Sequence, residues 1–202
     1  GAPDVLLKDR HVHGMMLPDF STVQKNDRPG TDPEPVITVS NLTHCYNEVK
    51  ALDDISLTIR KGEFIAIVGE NGSGKTTLVK HFNRLLIPTE GNVMVNGKNT
   101  RDCSIAVLAH DVGLVFQNPD HMFFADTVRD EVAYGVRNLA IPDCDSVIDA
   151  TLAGTGLAHA ASLYPRWLSR GERQRLGIAC VVAMKPNVIV LDEPTTGLDG
   201  YE

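Results

Sequence analysis

The sequence predicts an α/β domain: a mostly parallel sheet flanked by helices, with an antiparallel β subdomain towards the N-terminus and a helical insertion. Three observations carry that expectation. An apolar run, Phe64 to Val68, passes through a glycine-rich turn into a helical pattern beginning at Lys75. Strand-like and helix-like stretches alternate from Val36 onward, as the crossovers of a parallel sheet require. A second apolar run, Val188 to Leu191, ends in two carboxylates, Asp192 and Glu193, and strand ends of this kind form the rim where α/β sheets bind ligands.

Residues 1–35 read as a tail or linker, because Pro29, Gly30, Pro33 and Pro35 stand among polar residues. The domain is expected over 36–202. VITVSNLTHCY alternates as a strand, Asn47 and Glu48 offer a turn, and ALDDISLTI is a second strand closed by Lys61-Gly62. Phe64 to Val68 has β-branched residues and no proline, which suits a strand buried on both faces. Leu78, Val79, Phe82, Leu85 and Leu86 then recur at helical spacing. NVMVNGK is a short strand with an Asn96-Gly97 hairpin signal, and Asp111 to Gln117 is another buried strand. A helical subdomain is expected over about 118–168, built from VRDEVAYGVRNL, DSVIDATLAGTGL and LAHAASLY. GERQRLGIACVVAM is a further helix, opening at Ser169 to Glu172.

At 202 residues, 43% of them hydrophobic, the chain can bury the core of one domain. A net charge of −7 argues against a nucleic-acid partner. Cys45, Cys103, Cys144 and Cys180 form no C-x-x-C pair, so neither a zinc site nor a disulfide framework is expected, and free thiols fit a reducing cytoplasm. No apolar run approaches the roughly 20 residues that span a bilayer, and no signal-peptide pattern opens the chain.

Gly69, Gly72, Gly74, Lys75 and Thr76 compose G-x-x-x-x-G-K-[ST] between the expected strand and helix. A triphosphate is a wide cluster of charged oxygens. Glycines let the backbone curl around it with N–H groups aimed inward, and the helix N-terminus adds partial positive charge. Lys75 can reach the β- and γ-phosphates and Thr76 can ligate Mg²⁺. Asn71, Ser73 and Thr77 belong to the same cradle. Asp192 is placed to hold Mg²⁺ directly or through water, and Glu193 to polarise the attacking water.

LSRGERQR (168–175), a helix, and VIVLDEPTTGLD (188–199) together resemble the nucleotide-binding domain of ATP-binding-cassette (ABC) ATPases, which are P-loop NTPases. The resemblance covers roughly residues 36–199 and implies an ATPase using ATP and Mg²⁺. It implies that Lys75, Gln117 and Glu193 are catalytic, with Gln117 also ligating Mg²⁺ and sensing the γ-phosphate. Tyr46 corresponds to the aromatic that stacks on adenine, an ordinary strand-edge tyrosine being the alternative. Ser169 and Gly171 correspond to the signature loop, which binds the γ-phosphate of ATP held by an opposite subunit. Asp199 corresponds to a loop crossing that dimer interface. Two departures stand out. Arg170 and Glu172 replace the first Gly and the Gln of Leu-Ser-Gly-Gly-Gln. The family also continues past the Asp199 loop to a further strand and a switch histidine, so the resemblance implies a domain truncated at its C-terminus.

FQNPDHMFFADTVRDEVAYG (116–135) resembles the energy-coupling-factor (ECF) and cobalt-importer branch. There the segment docks on a transmembrane partner. Phe123 and Phe124 are either contacts of that kind or packing within the helical subdomain. Residues 1–26 resemble the tail that follows such a domain, which implies the second half of a tandem ATPase. The implied function is an ATP-hydrolysing subunit that powers uptake of vitamins or transition-metal ions. It would sit peripherally on the cytoplasmic face of the membrane, with a homologous or tandem cassette as dimer partner and a transmembrane coupling subunit. The alternatives are a soluble ABC ATPase outside transport and a chain that only binds nucleotide.

Overall fold

The computed structural model describes residues 33–193. The expectations for residues 1–32 and for Asp199 lie outside the described residues. β1 (Pro35–Tyr46) and β2 (Val49–Arg60) form a long antiparallel hairpin whose turn places Asn47 at φ 53. β3 (Glu90–Val95) pairs antiparallel with β1, and β4 (Lys98–Asn99) returns along β3, giving the order β2-β1-β3-β4. Asn96 and Gly97 join β3 to β4 with φ 46 and 73, the double left-handed turn that matches strand twist. α1 (Lys75–Phe82) follows the glycine-rich loop and contributes Leu78, Val79 and Phe82 to one core with Ile37, Val39, Leu42, Val93 and Val95.

β5 (Val112–Val115) and β6 (Val188–Leu191) form a parallel pair. A short helix, α2 (Ile105–Leu108), precedes β5 and shows no periodicity in the sequence. The helical insertion contains α3 (Val128–Asn138) and α4 (Cys144–Gly154), and α5 (Arg170–Ala183) then leads towards β6. Val128, Val132, Val136, Ile148, Leu152 and Leu176 belong to a second core shared by these three helices. The α/β class, the antiparallel N-terminal sheet and the helical insertion are thus as the sequence predicts. The parallel sheet within the described residues is two strands wide.

Three local expectations are corrected. Phe64–Val68 is not a buried strand: residues 64–69 make no backbone–backbone hydrogen bond among the described residues, and Phe64 is 95% exposed. The run faces β6 across a cleft of about 170 Å³, lined on its two sides by Ile65, Ile67, Val188 and Val190. Without a ladder the run has no strand geometry. The helix expected through Leu86 stops at Phe82. Arg84 turns left-handed at φ 62 and the Leu86 amide bonds back to the Lys80 carbonyl at 3.1 Å. LAHAASLY yields only a 3-10 turn, Ala158–Ala160. The Ala161 and Leu163 carbonyls instead accept from the Arg129 and Val128 amides at 2.9 Å, satisfying donors that α3 leaves free at its start.

Asp111 ties the two parts together. Its buried carboxylate accepts from Asn96 Nδ2 (2.6 Å), Lys98 Nζ (2.8 Å) and Asn187 Nδ2 (3.0 Å). Burial favours its neutral form, but these hydrogen bonds and the Lys98 charge outweigh it and hold the carboxyl below its ordinary value. A depressed carboxyl stabilises the fold above the unfolded-state pKa and loses that contribution as pH falls through the folded-state value. We expect Asp111→Asn to lower unfolding free energy by about 1–3 kcal/mol at pH 7. In urea titrations the gap should narrow steadily below about pH 4; an equal gap at all pH values would contradict this.

Candidate functional site

The glycine-rich loop has the shape its residues demand. Gly72 and Gly74 are left-handed, at φ 84 and 91. A Cβ on Gly74 would lie 2.6 Å from the Ala51 carbonyl oxygen and 2.8 Å from Leu52 Cδ2, so glycine lets α1 start this close to β2. A Cβ on Gly69 would sit 2.7 Å from Ser73 Oγ. The Ser73 amide bonds to the Glu70 carbonyl at 3.1 Å, with Asn71 exposed between them. Lys75 Nζ donates to the Gly69 and Glu70 carbonyls, both at 2.9 Å. The ammonium is therefore held within the loop, on weak neutral acceptors that a phosphate oxygen can outcompete.

The residues of the two distant motifs meet at one rim. Thr76 Oγ1 donates to Asp192 Oδ1 at 3.0 Å. The Asp192 amide in turn donates to the Val115 carbonyl at 3.0 Å, which registers the end of β6 on β5. Gln117 Nε2 donates to Glu193 Oε2 at 2.7 Å, and Glu193 sits at φ 47. Lys75, Asp192 and Glu193 line the same cleft. Thr76 and Asp192 offer hard oxygens, one of them buried, and no cluster of three His, Cys, Asp or Glu groups forms among the described residues. That donor set fits Mg²⁺, which takes one or two protein oxygens and leaves its other positions to phosphate and water.

Tyr46 lies at the end of β1, 46% exposed, edge-on to His44 at 4.7 Å. A pair of histidines behind it has no counterpart in the sequence reading. His81 Nδ1 meets the Thr77 carbonyl at 2.7 Å and therefore donates to it, which leaves Nε2 to accept from His44 Nδ1 at 3.2 Å. Burial pushes the His81 pKa down, consistent with this neutral tautomer. The chain of contacts links the end of β1 to the first turn of α1.

Ser169 caps α5, and Gly171 is buried in its first turn. Ser169 Oγ accepts from the Glu172 amide at 3.3 Å, while its hydroxyl and its own amide both donate to Glu172 Oε2 at 2.8 Å. These bonds hold Glu172 below its ordinary carboxylate value, helped by His159 at 3.2 Å. The Glu that departs from the usual signature is thus half of a reciprocal capping box. Ser169 makes no hydrogen bond to residues 69–77 among the described residues.

Glu131, which the sequence analysis does not single out, anchors the segment after Gln117. It is buried on α3, and Oε1 accepts from the Phe124 and Ala125 amides. Burial raises its pKa against the pull of those amides. This anchor orders the Phe123–Phe124 step: Phe123 packs inward at 7% exposure, while Phe124 stands 64% exposed, edge-on to Tyr134 at 4.5 Å. In the sequence Glu131 is the second of two adjacent acids, after Asp130, between the apolar positions Val128 and Val132.

The family model described as ABC transporter matches residues 52–196. A Methanosarcina mazei protein, provisionally named an ABC transporter ATP-binding protein, is 54% identical over 171 residues, which cover 84% of this chain and 34% of that protein. The energy-coupling factor transporter ATP-binding protein EcfA1 of Caldanaerobacter subterraneus subsp. tengcongensis is 44% identical over 172 residues, covering 81% of this chain and 62% of EcfA1. The structure of cbiO1 from Clostridium perfringens, part of the ABC transporter complex cbiONQ, superposes with a TM-score of 0.72 at 36% identity. It covers 82% of this chain and 68% of cbiO1. The chain spans about a third of the length of the Methanosarcina mazei relative, 34%, and of a Methanosarcina acetivorans relative that is 53% identical over 174 residues, 33%.

Proposed function

The chain belongs to the ABC transporter family, and on that premise we propose that it binds Mg²⁺-ATP on the loop 69–77 and hydrolyses it to power transport. The observation that carries the reading is the convergence of Lys75, Thr76, Asp192, Gln117 and Glu193 at one rim. Lys75 exchanges two neutral carbonyls for phosphate oxygens. Thr76 and Asp192 would hold Mg²⁺, which when bound supplies charge neutralisation to the phosphates. Glu193, positioned by Gln117, takes the proton of the attacking water. Tyr46, with Ser169 and Gly171 of an opposite subunit, completes the nucleotide site in this reading.

The finer assignment is an importer of the ECF type. Three things support it: the EcfA1 relative, the cbiO1 neighbour, and the FQNPDHMFF segment with Phe124 exposed. Among the described residues no helix is long and apolar enough to cross a membrane. In this reading the chain reaches the cytoplasmic face of the membrane through a transmembrane subunit that covers Phe124 and Tyr134. Its dimer partner is a homologous or tandem cassette. Relatives three times the length of the matched stretch leave room for a second cassette. Hydrolysis measured against protein concentration tests the core of this. A specific rate that rises with concentration is expected of a site completed between two copies, unless a tandem cassette supplies the second half. Mg²⁺-ATP binding with no turnover at any concentration would reduce the function to nucleotide binding.

A further inference from the structure

Two buried histidines run from the phosphate loop to the tyrosine at the end of β1. His81 of α1 is fully buried and His44 of β1 nearly so, and neither belongs to the rim lined by Lys75, Asp192 and Glu193. His44 Nδ1 lies 3.2 Å from both His81 Nε2 and the Ile87 carbonyl, so its N–H is shared between two acceptors. His81 is fixed in turn by donating to the Thr77 carbonyl in the first turn of α1 at 2.7 Å. Two further bonds strap the strand on either side of His44. The Thr43 carbonyl accepts from the Thr89 amide at 2.9 Å, and the Cys45 amide donates to Thr89 Oγ1 at 3.1 Å.

The His44 ring stands edge-on to both of its neighbours. Its centroid is 4.7 Å from that of Tyr46, with the planes at 78°, and 4.8 Å from that of His81, with the planes at 74°. Tyr46 itself is 46% exposed, and its hydroxyl makes no hydrogen bond among the described residues. The contact with His44 is therefore what sets the plane of the tyrosine ring. An aliphatic side chain in place of His44 would fill the space without the desolvation cost of an imidazole, but no hydrogen bond would fix its orientation. A stacking platform that is already held in place loses little rotamer freedom when its ligand arrives.

We propose that His44, anchored by His81, is a positioning residue for nucleotide binding: it holds the Tyr46 ring ready to stack on the base, at a set distance from the phosphate loop. The inference rests on the role given to Tyr46 above. Its test is calorimetric titration of the full-length protein with Mg²⁺-ATP and, separately, with Mg²⁺ and inorganic tripolyphosphate, which has the phosphates and no base. His44→Gln removes the ring but keeps an N–H for His81 and Ile87. It should raise the Kd for ATP about fivefold and leave that for tripolyphosphate unchanged. His44→Phe, which keeps a ring edge towards Tyr46, should recover part of the loss. His81→Leu should give a smaller loss of the same kind, because His44 retains the Ile87 carbonyl. Tyr46→Ala should weaken ATP binding about tenfold, and in that background His44→Gln should have no further effect. An equal loss of ATP and tripolyphosphate affinity in His44→Gln would show that the ring only supports the loop, and would overturn the inference alone, as would no loss of either. Full ATP affinity in Tyr46→Ala would overturn it together with the role of Tyr46. Binding of neither ligand to the wild type would overturn it together with the nucleotide reading.

Discussion

Lys75→Ala is expected to weaken Mg²⁺-ATP binding by on the order of a hundredfold while leaving the fold intact. A charge-assisted hydrogen bond is worth about 1.5–3 kcal/mol, and 1.4 kcal/mol is a factor of ten, so losing the ammonium from two phosphate contacts gives an effect of this size. The fold should survive because, among the described residues, Nζ bonds to the loop carbonyls of Gly69 and Glu70 and to no other group. In the variant those carbonyls can turn to water. A calorimetric titration measures the affinity directly. A second readout is thermal: nucleotide should raise the melting temperature of the wild type and barely move that of the variant. A dissociation constant within threefold of wild type would show that the loop amides alone hold the phosphates, and would remove Lys75 from the site.

Much of the site was legible because its chemistry is local. Gly69, Gly72, Gly74, Lys75 and Thr76 lie within eight consecutive residues, and their shape follows from backbone freedom and a helix N-terminus. The pairing of Thr76 with Asp192 spans 116 residues; the sequence places both beside strand ends of one sheet, and although Phe64–Val68 makes no ladder, Thr76 in the first turn of α1 still meets the end of β6. Other features depend on tertiary competition that no local pattern records. LAHAASLY has helical spacing, but its carbonyls cap α3. Phe64–Val68 has the composition of a buried strand, but it makes no ladder among the described residues. Nothing in the local pattern marks Glu131 or Asp111 for a buried role. That role comes from the Phe124 and Ala125 amides and from Asn96, Lys98 and Asn187, which folding brings against the two carboxylates.

Glu193→Gln is expected to bind Mg²⁺-ATP as the wild type does and to lower turnover by about 10²–10⁴-fold, the range for losing a general base. Binding should be spared because the carboxamide keeps an oxygen where Glu193 Oε2 accepts from Gln117 Nε2 at 2.7 Å. The packing around it and the neighbouring Asp192–Thr76 contact are left alone. What the amide cannot do is take a proton from water. The same reasoning fixes the order of events in the transport reading. If two domains close on nucleotide and open after hydrolysis, the variant should accumulate as the closed pair. Its mass in light scattering should then rise on adding ATP and stay high, while the wild type returns to its starting state as ATP is consumed. Turnover within a few-fold of wild type would assign proton transfer to another group at the rim. A large loss of ATP affinity would show that the Glu193 carboxylate serves binding, and that the Gln117–Glu193 contact is part of the cradle.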